Sequence, residues 1–314
     1  MYNKIVLLQG GVSAEREVSL ETCDSIKKAL NNLGKVVVSV DPKDFFQNNQ
    51  IDYKAILNKI VNANCDIVFI GLHGGDGEDG TFQKLFEIFN IEYTGSSSYA
   101  SFISMNKKLS KLLVQNLQIP IPKFYSFHRN EEVLKNYEKF VEKLHLPFVV
   151  KPNSSGSSIG VSFVENREQF HNAVNSALNS DDYFLVEQYI IGREITVAMM
   201  GNHPLPVVEI KPKKGWYDYQ HKYTKGHTIY EVPAMLSQEE SERVSNYATK
   251  IFNELQCKDY VRIDFRFDGK DFYFLEVNTL PGMTNLSLVP MAAKAVGISF
   301  DKLINRIINR NWEY

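Results

Sequence analysis

The sequence predicts an α/β protein, α+β overall, with a parallel sheet flanked by helices at its start and antiparallel hairpins further on. Three observations carry this. Short apolar runs alternate with helical patterns at Lys4–Leu8, Val36–Val40 and Asp66–Leu72, the signature of strands joined by crossover helices. Late in the chain, two runs rich in aromatic and β-branched residues, Tyr260–Phe267 and Phe272–Val277, flank Asp268-Gly269, which is a hairpin signal. Finally, 314 residues are too many for one small core, so two or three domains are expected.

Bulk properties narrow the function. The chain is 44% apolar and 12% aromatic, as in an ordinary soluble globular protein. Its 35 basic and 37 acidic residues leave a net charge of −2, which argues against nucleic acid or a membrane surface as partner. Cys23, Cys65 and Cys257 are isolated, with no metal spacing, and read as small buried residues of a reducing compartment. The N-terminal stretch runs straight into a strand without a secretory apolar core, and no apolar run reaches membrane-spanning length. A cytoplasmic location is expected.

In order, Gly10-Gly11 follows the first strand as a strand-to-helix turn, not G-x-G-x-x-G. It places Glu15 where a parallel sheet's carboxyl edge opens into a crevice. A helix to about Leu33, a strand at Val36–Val40, a helix at Ile51–Asn62 and a strand at Asp66–Leu72 follow. His73–Thr81 holds four glycines and three acids; it is either a surface loop or a place where backbone approaches a ligand. By composition alone His73 reads more often as a hydrogen-bonded loop residue than as a catalytic one. Helices are expected at Thr81–Phe89 and Ala100–Gln115, after a linker at Tyr93–Ser98. Lys123–Phe127, Phe148–Lys151 and Val161–Val164 read as strands, with a helix at Glu131–Leu144. Between the last two strands lies Pro152–Gly160, a small-residue loop beside Lys151. It suits a polyphosphate, with a plain Gly/Ser hairpin as the alternative. A helix at Asn166–Leu178 and strands at Tyr183–Gln188, Glu194–Met200 and Leu205–Lys211 come next. Lys213–Thr228 is polar, aromatic and long for a connector, so it reads as a lid. Ser237 caps a helix to Leu255 with Glu240 at the capping-box position, and helices at Ser287–Val296 and Phe300–Asn309 close the chain.

The chemistry concentrates in the late hairpin. Glu276 and Asn278 are two residues apart on a strand and share a face, and Asp264 can join them across the pair. Three oxygen ligands with no thiol or imidazole suit Mg²⁺ or Mn²⁺; the alternative is a solvated hairpin edge. Arg262 adds a fixed positive charge on that face, and Thr279–Asn285 is a turn-rich loop able to present backbone N–H groups. Metal, arginine and N–H donors together suit phosphoryl transfer.

The order R-I-D…E-V-N-T-L-P-G-M resembles the core of the ATP-grasp superfamily, and T-N-L-S-L-V-P resembles its D-alanine–D-alanine ligase family. The family's HGxxGEDGxxQ motif is matched from His73 through Gln83. The resemblance covers essentially the whole chain. It implies an ATP-grasp fold in three parts: an N-terminal α/β domain at 1–96, a central lid domain at 97–187 and a C-terminal catalytic domain at 188–314. It implies ATP and two Mg²⁺ or Mn²⁺ ions as cofactors, D-alanine as substrate and a homodimer. Lys107 and Lys151 would hold ATP phosphates beneath a flap containing Ser157 and Ser158. Glu187, Tyr189, Glu194 and Trp216 would surround adenine and ribose. Asp264, Glu276 and Asn278 would hold the metal. Glu15 would take the first D-alanine's ammonium with His73 on the substrate side, and Ser157 and Tyr223 would link flap and lid. Lys222, Ser287 and Leu288 would receive the second D-alanine's carboxylate. Arg262 and the Gly282 N–H are candidates for the tetrahedral oxyanion.

Two positions depart from the family pattern. Ser155 stands where an acidic residue is usual, and Asn106 stands in a Met-Asp-Lys position. Both bear on flap closure and ATP affinity. A ligase using D-lactate as second substrate, another ATP-grasp ligase and a degenerate ATP sensor are the other readings. Tyr223 with Glu15 and Ser157 fits the dipeptide pattern, and the complete Asp264, Glu276, Asn278 set argues against a sensor.

Overall fold

The structure is a computed structural model that describes residues 2–213, 228–284 and 287–312. In the N-terminal part, strands β1 (Lys4–Leu8) and β2 (Val36–Val40), a small hairpin of β3 (Phe46–Gln47) and β4 (Gln50–Ile51), and β5 (Ile67–Ile70) alternate with helices Arg16–Asn32 and Tyr53–Asn62. The parallel sheet has the order β2-β1-β5. The central strands are apolar on both faces because both are covered. Val6, Leu8, Val68 and Ile70 pack against Ile56, Ile60, Phe82 and Phe86. Ile5, Leu7, Ile67 and Phe69 pack against Ile26 and Leu30, and also against Leu303, Ile304 and Ile307 of the last helix. The chain's two ends thus share one core.

The middle of the chain forms an antiparallel sheet of β6 (Phe124–His128), β7 (Phe148–Pro152), β8 (Ser162–Val164) and β9 (Tyr183–Gln188), ordered β6-β9-β7-β8. Its own core holds Phe140, Phe148, Phe170 and Phe184 under helices Tyr137–Leu144 and Arg167–Leu178. Phe140 and Phe148 each meet the Phe170 ring edge-on at 5.7 Å.

The largest sheet contains β10 (Arg193–Met200), β11 (His203–Pro204), β12 (Val208–Pro212), β13 (Thr228–Glu231), β14 (Tyr260–Phe267) and β15 (Phe272–Asn278). Its order is β13-β12-β10-β14-β15, with β11 beside β10, and all pairs are antiparallel. Along β14 the two-residue alternation separates the faces. Val261, Ile263, Phe265 and Phe267 enter a core with Val244, Ala248 and Ile251 of helix Gln238–Glu254. Arg262, Asp264 and Arg266 take the other face, where the site forms. Ser237 and Glu240 make the expected capping box.

Several boundaries differ from expectation. The helix expected over Ala100–Gln115 is two, Ser98–Met105 and Lys107–Asn116, because Asn106 is extended (φ −82°, ψ 97°). Both pack on β15, and Ile103 and Val114 join the core of the large sheet. The stretch before Leu144 opens with a 3₁₀ turn at Val133–Asn136, and the strand expected from Leu205 begins at Val208. Cys23 and Cys257 are buried thiols as expected, whereas Cys65 is only half-buried just ahead of β5; all three are free thiols. Among the described residues no helix is long and apolar enough to cross a membrane. Of the expected lid, residues 214–227 lie outside the described residues.

Phe140 is fully buried among aromatic rings, so Phe140→Ala is expected to cost about 3–5 kcal/mol in urea denaturation.

Candidate active site

Two adjoining cavities lie over the polar face of β14 and β15. The first, about 150 Å³, is lined by Glu15, His73, Ser157, Arg262, Asn278, Gly282, Ser287 and Leu288, among others. The second, about 130 Å³, is lined by Lys151, Ser158, Phe163, Glu187, Tyr189, Glu194, Asp264 and Arg266, among others. Lys107, Ser155 and Glu276 line both, so they mark the passage between the two.

The hairpin brings the three predicted oxygen ligands together. Asp264 pairs directly with Glu276, and Arg262 with Asn278; the register shifts just after Asp264. Arg262 grips Asp264 with both arms, Nε and Nη2 each 2.9 Å from a carboxylate oxygen, and Thr196 Oγ1 donates to the same carboxylate at 2.6 Å. Lys107 Nζ lies 3.2 Å from Glu276. The donor set is oxygen only: two carboxylates and an amide oxygen that also accepts from Leu280 N–H. It fits a hard cation able to share oxygens with phosphate. Because Arg262 occupies both Asp264 oxygens, a cation there would share Asp264 with the guanidinium.

Glu15 ends the strand-to-helix turn and is buried. The Ser157 hydroxyl donates to it, which joins the flap to the N-terminal sheet. A Cβ on Gly74 or Gly156 would come within 2.5 or 2.8 Å of Glu15 Oε2, so a side chain at either position would displace the Glu15 carboxylate. His73 is buried, with Nε2 3.2 Å from Thr22 Oγ1 and Nδ1 3.5 Å from Glu78. Thr22 Oγ1 also accepts from Met283 N–H, which ties the His73 loop to the loop after β15. That loop uses several of its N–H groups internally: Leu280 donates to Asn278 and Thr284 donates to Ser287. The Gly282 N–H has no hydrogen-bond partner among the described residues. Ser287 precedes helix Leu288–Ala295, and Ser287 and Leu288 both line the cavity.

The flap 154–160 is held from below. Lys107 Nζ donates to the Ser155 carbonyl at 2.7 Å, and the Asn153 carbonyl and side chain accept from the N–H groups of Lys107 and Lys108. Ser157 and Ser158 both adopt left-handed backbone (φ 49° and 59°) in the turn that follows. Asn106 caps the helix below by accepting from Leu109 N–H. Asp and Asn serve equally well there, so this departure is absorbed as an N-cap.

In the second cavity Lys151 Nζ donates to Glu187 at 2.6 Å, and Lys111 Nζ lies 2.8 Å from the carboxylate's other oxygen. Burial works against Glu187's charge, but the two lysines outweigh it and hold the carboxyl below its usual range. Tyr189 stacks edge-on against Phe163 at 4.9 Å and accepts from Arg266, which also reaches Glu194 at 3.5 Å. Sequence reasoning missed Lys111, Arg266 and Phe163. The signal available for Lys111 was its place one helical turn beyond Lys107. Trp216, Lys222 and Tyr223 lie outside the described residues.

Known proteins resemble the chain over nearly its full length. The family model described as D-ala D-ala ligase C-terminus matches residues 113–309, and that of the D-ala D-ala ligase N-terminus matches residues 47–96. A D-alanine–D-alanine ligase of Aquifex aeolicus is 43% identical over 97% of this chain and 99% of its own. A crystal structure of the Bacillus anthracis D-alanine–D-alanine ligase superposes with a TM-score of 0.85 at 34% identity, covering 98% of this chain and 96% of that one. The same enzyme's ATP complex gives 0.83 at 32% identity with the same coverage.

From the N-cap geometry, Asn106→Asp is expected to leave thermal stability unchanged. Asn106→Ala is expected to cost about 0.5–2 kcal/mol, read by urea denaturation.

Proposed function

The chain belongs to the D-alanine–D-alanine ligase family, and we propose that its two adjoining cavities divide the family's reaction between them. It is an ATP-dependent ligase that joins two D-alanines for peptidoglycan synthesis. The passage shared at Lys107, Ser155 and Glu276 carries the proposal, because a phosphoryl group has to cross between the nucleotide and an amino acid.

In this reading the first cavity takes D-alanine. Buried Glu15 holds its ammonium, with His73 fixing the wall beneath, and its carboxylate turns toward Lys107. The second cavity takes ATP. Phe163 and Tyr189 flank the base, Glu187 and Glu194 lie toward adenine and ribose, and Lys107 and Lys151 meet the phosphates under Ser157 and Ser158. Asp264, Glu276 and Asn278 would hold Mg²⁺ or Mn²⁺, which would offset the charge gathering on the phosphates.

A carboxylate is a poor electrophile, so its oxygen first attacks the γ-phosphorus. ADP leaves, and the acyl phosphate that forms carries phosphate as its leaving group. The deprotonated amine of the second D-alanine then attacks the acyl carbon. Its carboxylate is received by Ser287 and the N-terminus of helix Leu288–Ala295, and Lys222 is assigned to the same carboxylate by the family resemblance. The oxyanion of the tetrahedral intermediate meets Arg262 and the Gly282 N–H, each such donor contributing about 3–4 kcal/mol. Acyl phosphates hydrolyse, so a flap linked to the lid through Ser157 and Tyr223 would keep water out, while Trp216 would belong with the adenine and ribose groups.

Three coarser features complete the reading. The chain divides at 1–96, 97–187 and 188–314, with helices Ser98–Met105 and Lys107–Asn116 riding on the last part. Two copies associate through helices Thr81–Ile88 and Ser98–Met105, which expose Ile88, Tyr99 and Phe102 beside an open groove. The unpaired thiols suit the cytoplasm.

Glu276→Gln tests the assignment. The variant is expected to keep its fold and lose turnover by at least roughly 100-fold, beyond the loss typical of groups one step removed from a metal. A steady-state rate near that of the unaltered enzyme would sink the ligand assignment.

A further inference from the structure

Lys111 is wholly buried, yet it lines neither cavity. It lies on helix Lys107–Asn116 with its ammonium between the Glu187 carboxylate at 2.8 Å and the Phe274 carbonyl at 3.3 Å, over the Phe274 ring. A buried ammonium is costly unless it is paired, so its position needs a reason. The charge count supplies one. Glu187 is buried at the wall of the second cavity and contacts two lysines, Lys151 through one oxygen and Lys111 through the other. With Lys151 alone the pair would be neutral, and the lysine aimed at the nucleotide would have its field cancelled by its own holder. With Lys111 added, the three groups together carry one positive charge.

We propose that Lys111 is a positioning residue for ATP: it neutralises Glu187 from behind, so that the carboxylate aligns Lys151 without cancelling its charge toward the triphosphate. The inference rests on the assignment of Lys151 to the ATP phosphates. It adds a residue outside both cavities that sets how strongly the nucleotide is held.

The test compares Lys111→Met, Glu187→Gln, their double variant and Lys151→Met by calorimetric titration with ATP, alongside the KM for D-alanine. Lys111→Met is expected to raise the Kd for ATP about tenfold or more while the KM for D-alanine stays unchanged, a split that general loosening of the fold would not give. In the Glu187→Gln background, with no carboxylate left to neutralise, Lys111→Met is expected to cost much less. Unchanged ATP affinity in Lys111→Met, or an equal cost in both backgrounds, would overturn the proposal. If Lys111→Met fails to fold, the double variant decides, since it leaves no buried carboxylate short of a partner. ATP affinity equal to that of Glu187→Gln supports the proposal, and a further tenfold loss overturns it. Lys151→Met separates the two levels. If it binds ATP normally, the phosphate assignment fails and the inference with it; if it binds weakly while Lys111→Met binds normally, only the inference fails.

Discussion

Asp264 and Glu276 face each other directly across an antiparallel pair, and two like charges in that position repel. Much of the site can be read as compensation for that repulsion. Arg262, two residues back on the same face, takes both oxygens of Asp264. Lys107 arrives from a helix packed on β15 and meets Glu276. The same Lys107 ammonium holds the Ser155 carbonyl, so the flap's position depends on the carboxylate it also neutralises. Asp264, Glu276 and Asn278 would hold a cation here, which would offset the same repulsion, and Arg262 and Lys107 remain beside the site as fixed positive charges.

The fold makes this convergence possible. Lys107 follows a break in what would otherwise be one long helix, and Asn106 makes that break by capping the second half. Glu15 comes from the opposite end of the chain. It reaches the flap because the N-terminal sheet shares a core with the last helix, and because Gly74 and Gly156 leave room beside it. The Thr22 hydroxyl, between His73 and Met283 N–H, fastens the two loops that line the amino-acid side. Parts far apart in sequence are thus held by a few polar contacts over large apolar cores.

The local geometry was legible in the sequence wherever it follows from periodicity or turn chemistry. The Asp268-Gly269 hairpin, the shared face of Glu276 and Asn278, and the Ser237–Glu240 capping box all come from rules that span a few residues. Other parts depend on contacts between distant segments and were not legible. Lys111 reads in sequence as one more surface lysine, and only the approach of Glu187 from β9 shows it to be buried. Arg266 and Phe163 reach the second cavity from different sheets. The break at Asn106 was hidden because Ser, Met and Lys on either side are all compatible with a continuous helix. Cys65 looked like a core thiol from composition alone but sits at a strand's entrance.

The central claim is that the two cavities form one reaction path from ATP to a peptide bond. It is tested most directly by ADP release with ATP and Mg²⁺, supplying D-alanine, L-alanine, D-lactate with D-alanine, or no amino acid, and identifying the product by mass. The account predicts ADP release that depends on D-alanine and yields D-alanyl-D-alanine, with no release for L-alanine alone. ATP binding without D-alanine-dependent turnover would contradict it.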